Sequence, residues 1–174
     1  MLFRSKNEFI RSLITFESGC GDFYQYRAYF LAAAGIAEFD GCQYEREIVE
    51  NIVKCGCENW NIFEDALKNK NKDTVISQDA QGALLQTNRK QAIAGLLKLM
   101  ADSQDEYTRG SAAHYLGKIG ADNEQAIAGL LKLMADSQDE DTRRRAAESL
   151  GEIGAGNEQA IAGLLKLMAD SQDE

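Results

Sequence analysis

Apolar residues recur at helical spacing through the second half of the chain. Ile93, Leu96, Leu97 and Met100 fall at i, i+3, i+4 and i+7, the stripe of an amphipathic helix over roughly 91–101. A second stripe, Thr108, Ala112, Leu116 and Ile119, predicts a helix over roughly 104–119. The pattern then starts again: residues 91–124 and 125–158 are two copies of one 34-residue unit, and QAIAGLLKLMADSQDE returns at 159–174. Proline is absent, so nothing kinks a helix by that route. Ser103-x-x-Glu106, repeated as Ser137-x-x-Glu140, reads as a capping box at the start of each second helix. Gly120 and Gly154 are placed to close those helices in the left-handed conformation, and Asn123 and Asn157 to cap the next first helix. Helix pairs at a fixed period predict an all-α fold, an α-α superhelix of antiparallel pairs.

Upstream the rhythm weakens. Phe23, Tyr26, Phe30, Ala33 and Ala37 suit one buried helical face, as do Ile48, Val49, Ile52 and Val53 in the next segment. Residues 22–57 therefore read as a degenerate helix pair inside an N-terminal cap, residues 1–75. The segment 66–75 is charged and aperiodic and predicts a loop. A short helix near 77–87 then opens the repeat array, residues 76–174. The pattern stops at Glu174, where a third second helix should begin. Ile161, Leu164, Leu165 and Met168 are thus left without their in-repeat partner. An open stacking surface is normally covered. The expectation is a piece of something longer, cut after the first helix of its last repeat, or a second copy that covers the open end.

Charge narrows the partners. A formal net charge of −9 argues against a general nucleic-acid binder, which needs a basic stripe to neutralise phosphates. The one dense basic cluster, Arg143, Arg144 and Arg145, is followed by Glu148 and Glu152, and an i, i+4 pair such as Arg144 and Glu148 largely cancels it. No apolar run approaches the roughly 20 residues that span a bilayer, and no signal-peptide pattern opens the chain. The expected setting is soluble and cytoplasmic, without membrane or nucleic acid. Cys20, Cys42, Cys55 and Cys57 could be imagined around zinc, but Cys55-Gly-Cys57 has the wrong spacing, and small core residues are the plainer reading.

The second helices carry the signature T-R-x-x-A-A-x-x-L-G-x-I-G. It runs from Thr108 and Arg109 through Ala112, Ala113, Leu116, Gly117 and Ile119 to Gly120, and again from Thr142 to Gly154. This resembles HEAT repeats of the short bacterial type, including those of phycobilin lyases. The tetratricopeptide signals W-x₂-L-G-x₂-Y are missing. The N-terminal run DFYQYRAYFLAAAGIAEF, followed by EREIVENIVK, is similar to the region that joins the nucleotide-binding part to the HEAT tail in cyanobacterial NACHT (STAND-type) signalling ATPases. That resemblance implies a tail of repeats that senses a ligand while a separate NTPase module responds. No G-x-x-x-x-G-K-[ST] loop stands in the chain, so any ATP-dependent activity is expected outside this polypeptide. Resemblance to HEAT repeats also implies that Arg109 and Arg143 form a structural ladder with loop carboxylates such as Asp105 or Asp139.

The two full copies differ at seven positions: Tyr107/Asp141, Gly110/Arg144, Ser111/Arg145, His114/Glu148, Tyr115/Ser149, Lys118/Glu152 and Asp122/Gly156. The first six share one stripe of the second helix. Drift at exposed sites is the bland explanation. The first helix serves as a control: its outward positions Gln91, Ala94, Gly95 and Lys98 reappear unchanged in every copy. A constant scaffold with one altered stripe points to a protein-binding face built from those twelve residues. The first copy offers aromatic anchors and the second a mixed-charge strip. No catalytic, metal or cofactor group is expected. The competing functions are a bilin-handling protein related to phycobilin lyases and, weaker, an autonomous enzyme; the carboxylates of the DSQDE loops sit where helix dipoles already explain them.

Overall fold

The computed structural model describes residues 5–17, 23–39, 41–57 and 72–170. Cys20, the Phe23 side chain and the expected loop as far as residue 71 lie outside them; residues 72–75, expected in that loop, are already helical. Among the described residues the helices are α1 (Lys6–Ile14), α2 (Phe23–Gly35), α3 (Glu45–Cys57), α4 (Lys72–Gln86), α5 (Arg89–Asp102), α6 (Glu106–Ile119), α7 (Glu124–Asp136), α8 (Glu140–Ile153) and α9 (Glu158–Asp170), with a 3-10 turn at Ile36–Glu38. The fold is all-α, of the helical-repeat solenoid class that the periodicity predicts. The chain divides into two compact units, Met1–Gly95 and Leu96–Glu174, with the boundary inside α5.

In the second unit α8 packs against both α6 and α7, and α9 follows. Ile127, Leu130, Leu133 and Met134 of α7 are buried, as are Ala112, Leu116 and Ile119 of α6 and Ala146, Leu150 and Ile153 of α8. First helices stack through glycine. A Cβ on Gly129 would collide with the Leu97 side chain of α5, and one on Gly163 with Leu131 of α7. The glycine expected to be an outward, freely drifting site is therefore a close-approach site, which explains its constancy.

In the first unit α1 packs on α2, while α2 and α3 each pack on α4. Val53 of α3 lies 3.2 Å from where a Cβ on Gly95 would sit, the equivalent of the closer approach of Leu97 to Gly129. That places α3 as the first helix of a pair and α4 as its second. Residues 22–57, read from the sequence as one pair, hold the second helix of one pair and the first helix of the next. The core gathers Ile10, Tyr26, Phe30, Ala33, Ile36, Ile48, Ile52 and Leu84. Ala37, expected on the same face, is exposed because the chain has left the α-helix for the 3-10 turn. Cys42, Cys55 and Cys57 are buried and unbridged. Tyr29 accepts a hydrogen bond from Asn51 Nδ2 at 2.9 Å, and burial pushes its hydroxyl pKa up to about 12.

Helix ends depart from the expected capping in two ways. Asp105, not Ser103, caps α6: its carboxylate accepts from the Thr108 amide at 2.9 Å and the Thr108 hydroxyl at 2.6 Å. Ser103 Oγ accepts instead from the Asp105 amide at 3.2 Å, which orients the cap. Asp139 and Ser137 repeat the arrangement on α8. Gly120 and Gly154 are not left-handed; their φ values are −87° and −92°. A Cβ there would strike the carbonyl oxygen of the last turn, Leu116 or Leu150, together with Ala126 in one copy and Ala160 in the other. In the loops that follow α6 and α8 the left-handed residues are Asp122 (φ 58°) and Gly156 (φ 82°), the one loop position that differs between copies. Asn123 and Asn157 do cap the following helices, accepting from the Ala126 and Ala160 amides.

Candidate interaction surface

The second helices are held by a polar seam at their N-terminal ends. Glu106 pairs with Arg109 one turn later and accepts a hydrogen bond from Ser137 Oγ at 2.7 Å. The Thr142 hydroxyl donates to the Glu106 carbonyl at 3.0 Å. The expected arginine ladder thus has a different partner: Arg109 is paired with Glu106, because Asp105 is engaged as a cap. On α8, Arg143 acts on Asp139 at charge range only. Thr108's hydroxyl and amide hold the Asp105 carboxyl below its ordinary pKa, and the Thr142 amide does the same for Asp139.

The twelve residues of the variable stripe separate into two groups. Tyr107, His114 and Lys118 on α6 and Asp141, Arg144, Glu148 and Glu152 on α8 are exposed, Tyr107 by 55 %. Gly110, Ser111 and Tyr115 on α6 and Ser149 on α8 are buried, contrary to the open strip expected, and Arg145 is half-buried. A stripe spanning positions 107, 110, 111, 114, 115 and 118 covers about 140° of the helix circumference. Second helix lies against second helix here, so part of that arc faces a neighbour.

Where α6 meets α8, the variable residues meet one another. Arg145 Cδ lies 3.1 Å from the Cβ position of Gly110, and its guanidinium sits 5.5 Å from the centroid of the Tyr107 ring, a cation–π contact. Lys118 Nζ donates to Glu152 Oε1 at 2.7 Å, joining the same position of consecutive repeats. Ser149 and Glu152 crowd Gly117, where an added Cβ would come within 2.8 Å of Ser149 Cβ. Gly117, Thr142, Ser137 and Glu106 belong to this contact and do not vary, so a comparison of copies could not reveal them. The clue to Gly117 is its position seven residues beyond Gly110, on the same helical face.

The open part of the surface is a strip of mixed charge with one aromatic end. Arg144 is held by Asp141 at 2.9 Å and Glu148 at 3.1 Å, and these two carboxylates raise its pKa. The His114 ring packs edge-on against Tyr115, 5.4 Å between centroids. This arrangement suits recognition of a macromolecular surface through charge and aromatic contact. Among the described residues no group of three or more His, Cys, Asp and Glu could hold a metal ion, and no helix is long and apolar enough to cross a membrane.

The family model for HEAT repeats matches residues 63–150 and 93–174. The chain belongs to the HEAT-repeat family. No curated protein matches it significantly. HEAT repeats are in general protein-interaction scaffolds; in this one, stacked first helices carry a second-helix layer whose outer edge is variable.

Proposed function

We propose that this HEAT-repeat chain is a non-catalytic scaffold that binds a protein or peptide through the open strip of α6 and α8. The single observation that carries the reading is a contrast between exposed sites. Tyr107, His114, Asp141, Arg144 and Glu148 are open to water and change between copies, while the equally open Ala94, Ala128, Lys98 and Lys132 of the first helices do not. Resemblance of residues 22–39 and 45–54 to the linker of NACHT (STAND-type) proteins supports a finer role, the recognition tail of such a signalling or defence protein. In that role residues 1–75 serve as the helical cap and residues 76–174 as the sensing array. The test is selection of peptides from a displayed library against the full chain, followed by binding to Tyr107→Ala/His114→Ala and Arg144→Ala variants. Binding should weaken at least tenfold with helicity unchanged and melting lowered only slightly, by loss of the Tyr107–Arg145 contact. Selected peptides that bind the variants as tightly as the parent would remove this reading.

A second copy of the chain is a further partner, supported by one exposed apolar ridge. On α9, Ile161, Leu165 and Met168 are open, Leu165 by 60 %. Sedimentation should show a concentration-dependent dimer that Leu165→Glu/Met168→Glu abolishes; a monomer at all concentrations would dismiss it.

A further inference from the structure

We propose that the residues by which the two repeats differ form a reciprocal key, favouring α6 against α8 and disfavouring either helix against a copy of itself. It rests on contact geometry and not on any external partner. The first helices discriminate nothing: α7 and α9 have one sequence, and the fit of Leu97 over Gly129 recurs as Leu131 over Gly163. On that layer alone, near-identical repeats are interchangeable within a chain and between chains, a setting in which slipped pairing and domain swapping are recognised hazards.

The second helices differ in this respect. Towards α8, α6 turns Gly110, Gly117 and Lys118; towards α6, α8 turns Thr142, Arg145, Ser149 and Glu152. Bulk opposes its absence at 145 and 110, and opposite charges meet at 118 and 152. Give α6 the edge of α8, and an arginine at position 110 would meet Arg145 while a glutamate at 118 would meet Glu152. Give α8 the edge of α6, and a serine at 145 would leave Tyr107 without its cation, a tyrosine at 149 would be driven onto Gly117, and a lysine at 152 would face Lys118. Both self-pairings combine like charges with a mismatch of volume, the repulsive half of specificity. The observed contact has neither fault.

Thermal melting of four forms of the full chain tests this. Gly110→Arg/Lys118→Glu sets the edge of α8 against α8, and Arg145→Ser/Glu152→Lys sets the edge of α6 against α6. The four substitutions together rebuild the key with its sides reversed, long against short and glutamate against lysine. Each double variant should melt several degrees below the parent, and the quadruple should regain at least half of the summed loss. Additive losses in the quadruple would overturn the proposal, since each residue would then act on its own helix alone. Should Gly110→Arg/Lys118→Glu fail to fold, Lys118→Glu, Glu152→Lys and their combination read the same coupling: recovery in the combination supports the key and additivity overturns it.

Discussion

α7 and α9 share all thirteen residues, yet Ile127 is 3 % exposed and Ile161 47 %, Met134 9 % and Met168 61 %. α8 lies over α7, while among the described residues no helix lies over α9 in the same way. The same holds for glycines one repeat apart: a Cβ on Gly117 would collide with α8, whereas one on Gly151 would meet nothing within 4 Å. An amphipathic stripe therefore states which side chains are able to be buried. The neighbour decides which of them are.

The largest effect should separate equivalent leucines. Leu130 is fully buried and Leu164 half-buried. Leu130→Ala should cost about 2–5 kcal/mol in chemical denaturation, and Leu164→Ala about 1 kcal/mol or less, since less apolar area leaves its packed site. Equal costs would break the comparison and show α9 to be covered in solution.

A smaller effect should change sign between copies. Gly117→Ala has no room beside Ser149 and should lose about 1–3 kcal/mol by overpacking. Gly151→Ala, on an open helix face, should gain about 0.5–1 kcal/mol from lower unfolded-state entropy. Matched denaturation curves decide it, and two losses of one size would mean that Gly151 is also packed.

The caps provide the case where the copies should agree. Asp105 and Asp139 have folded pKa values below the ordinary carboxylate value, so the folded state binds their protons less readily than the unfolded state does. Their contribution is full above the unfolded value of about 4 and is lost as pH falls through the lower folded value. Melting should hold steady from neutral pH to about 5 and decline below about 4, with a shallower decline in Asp105→Ala and Asp139→Ala alike. A difference between the two variants would show that the caps are as copy-specific as the stripe.

Much of this was legible from letters alone. The period, the helix pairs from Arg89 onward, the Asn123 and Asn157 caps and the exposure of Tyr107, His114 and Lys118 follow from spacing and residue type. The Asp105 cap was not, because Ser103 and Asp105 both suit a cap and only the start of α6 at Glu106 distinguishes them. Gly120 illustrates a different limit. Glycine serves both left-handed turns and close approach, and only the position of Ala126 tells which. For the stripe, a helical wheel shows that Gly110, Ser111 and Tyr115 share a side with Tyr107; it does not show what stands opposite. That required the neighbouring helix.

The Lys118–Glu152 pair has a consequence for how such a gene can evolve. Tandem DNA repeats tend to overwrite one another, and at this codon an overwrite in either direction would place two lysines or two glutamates face to face. Codons for α7 and α9 tolerate the same event without loss. Homogenisation of the array is thereby penalised at one helix and left free at the next, so molecular packing acts as a filter on recombination.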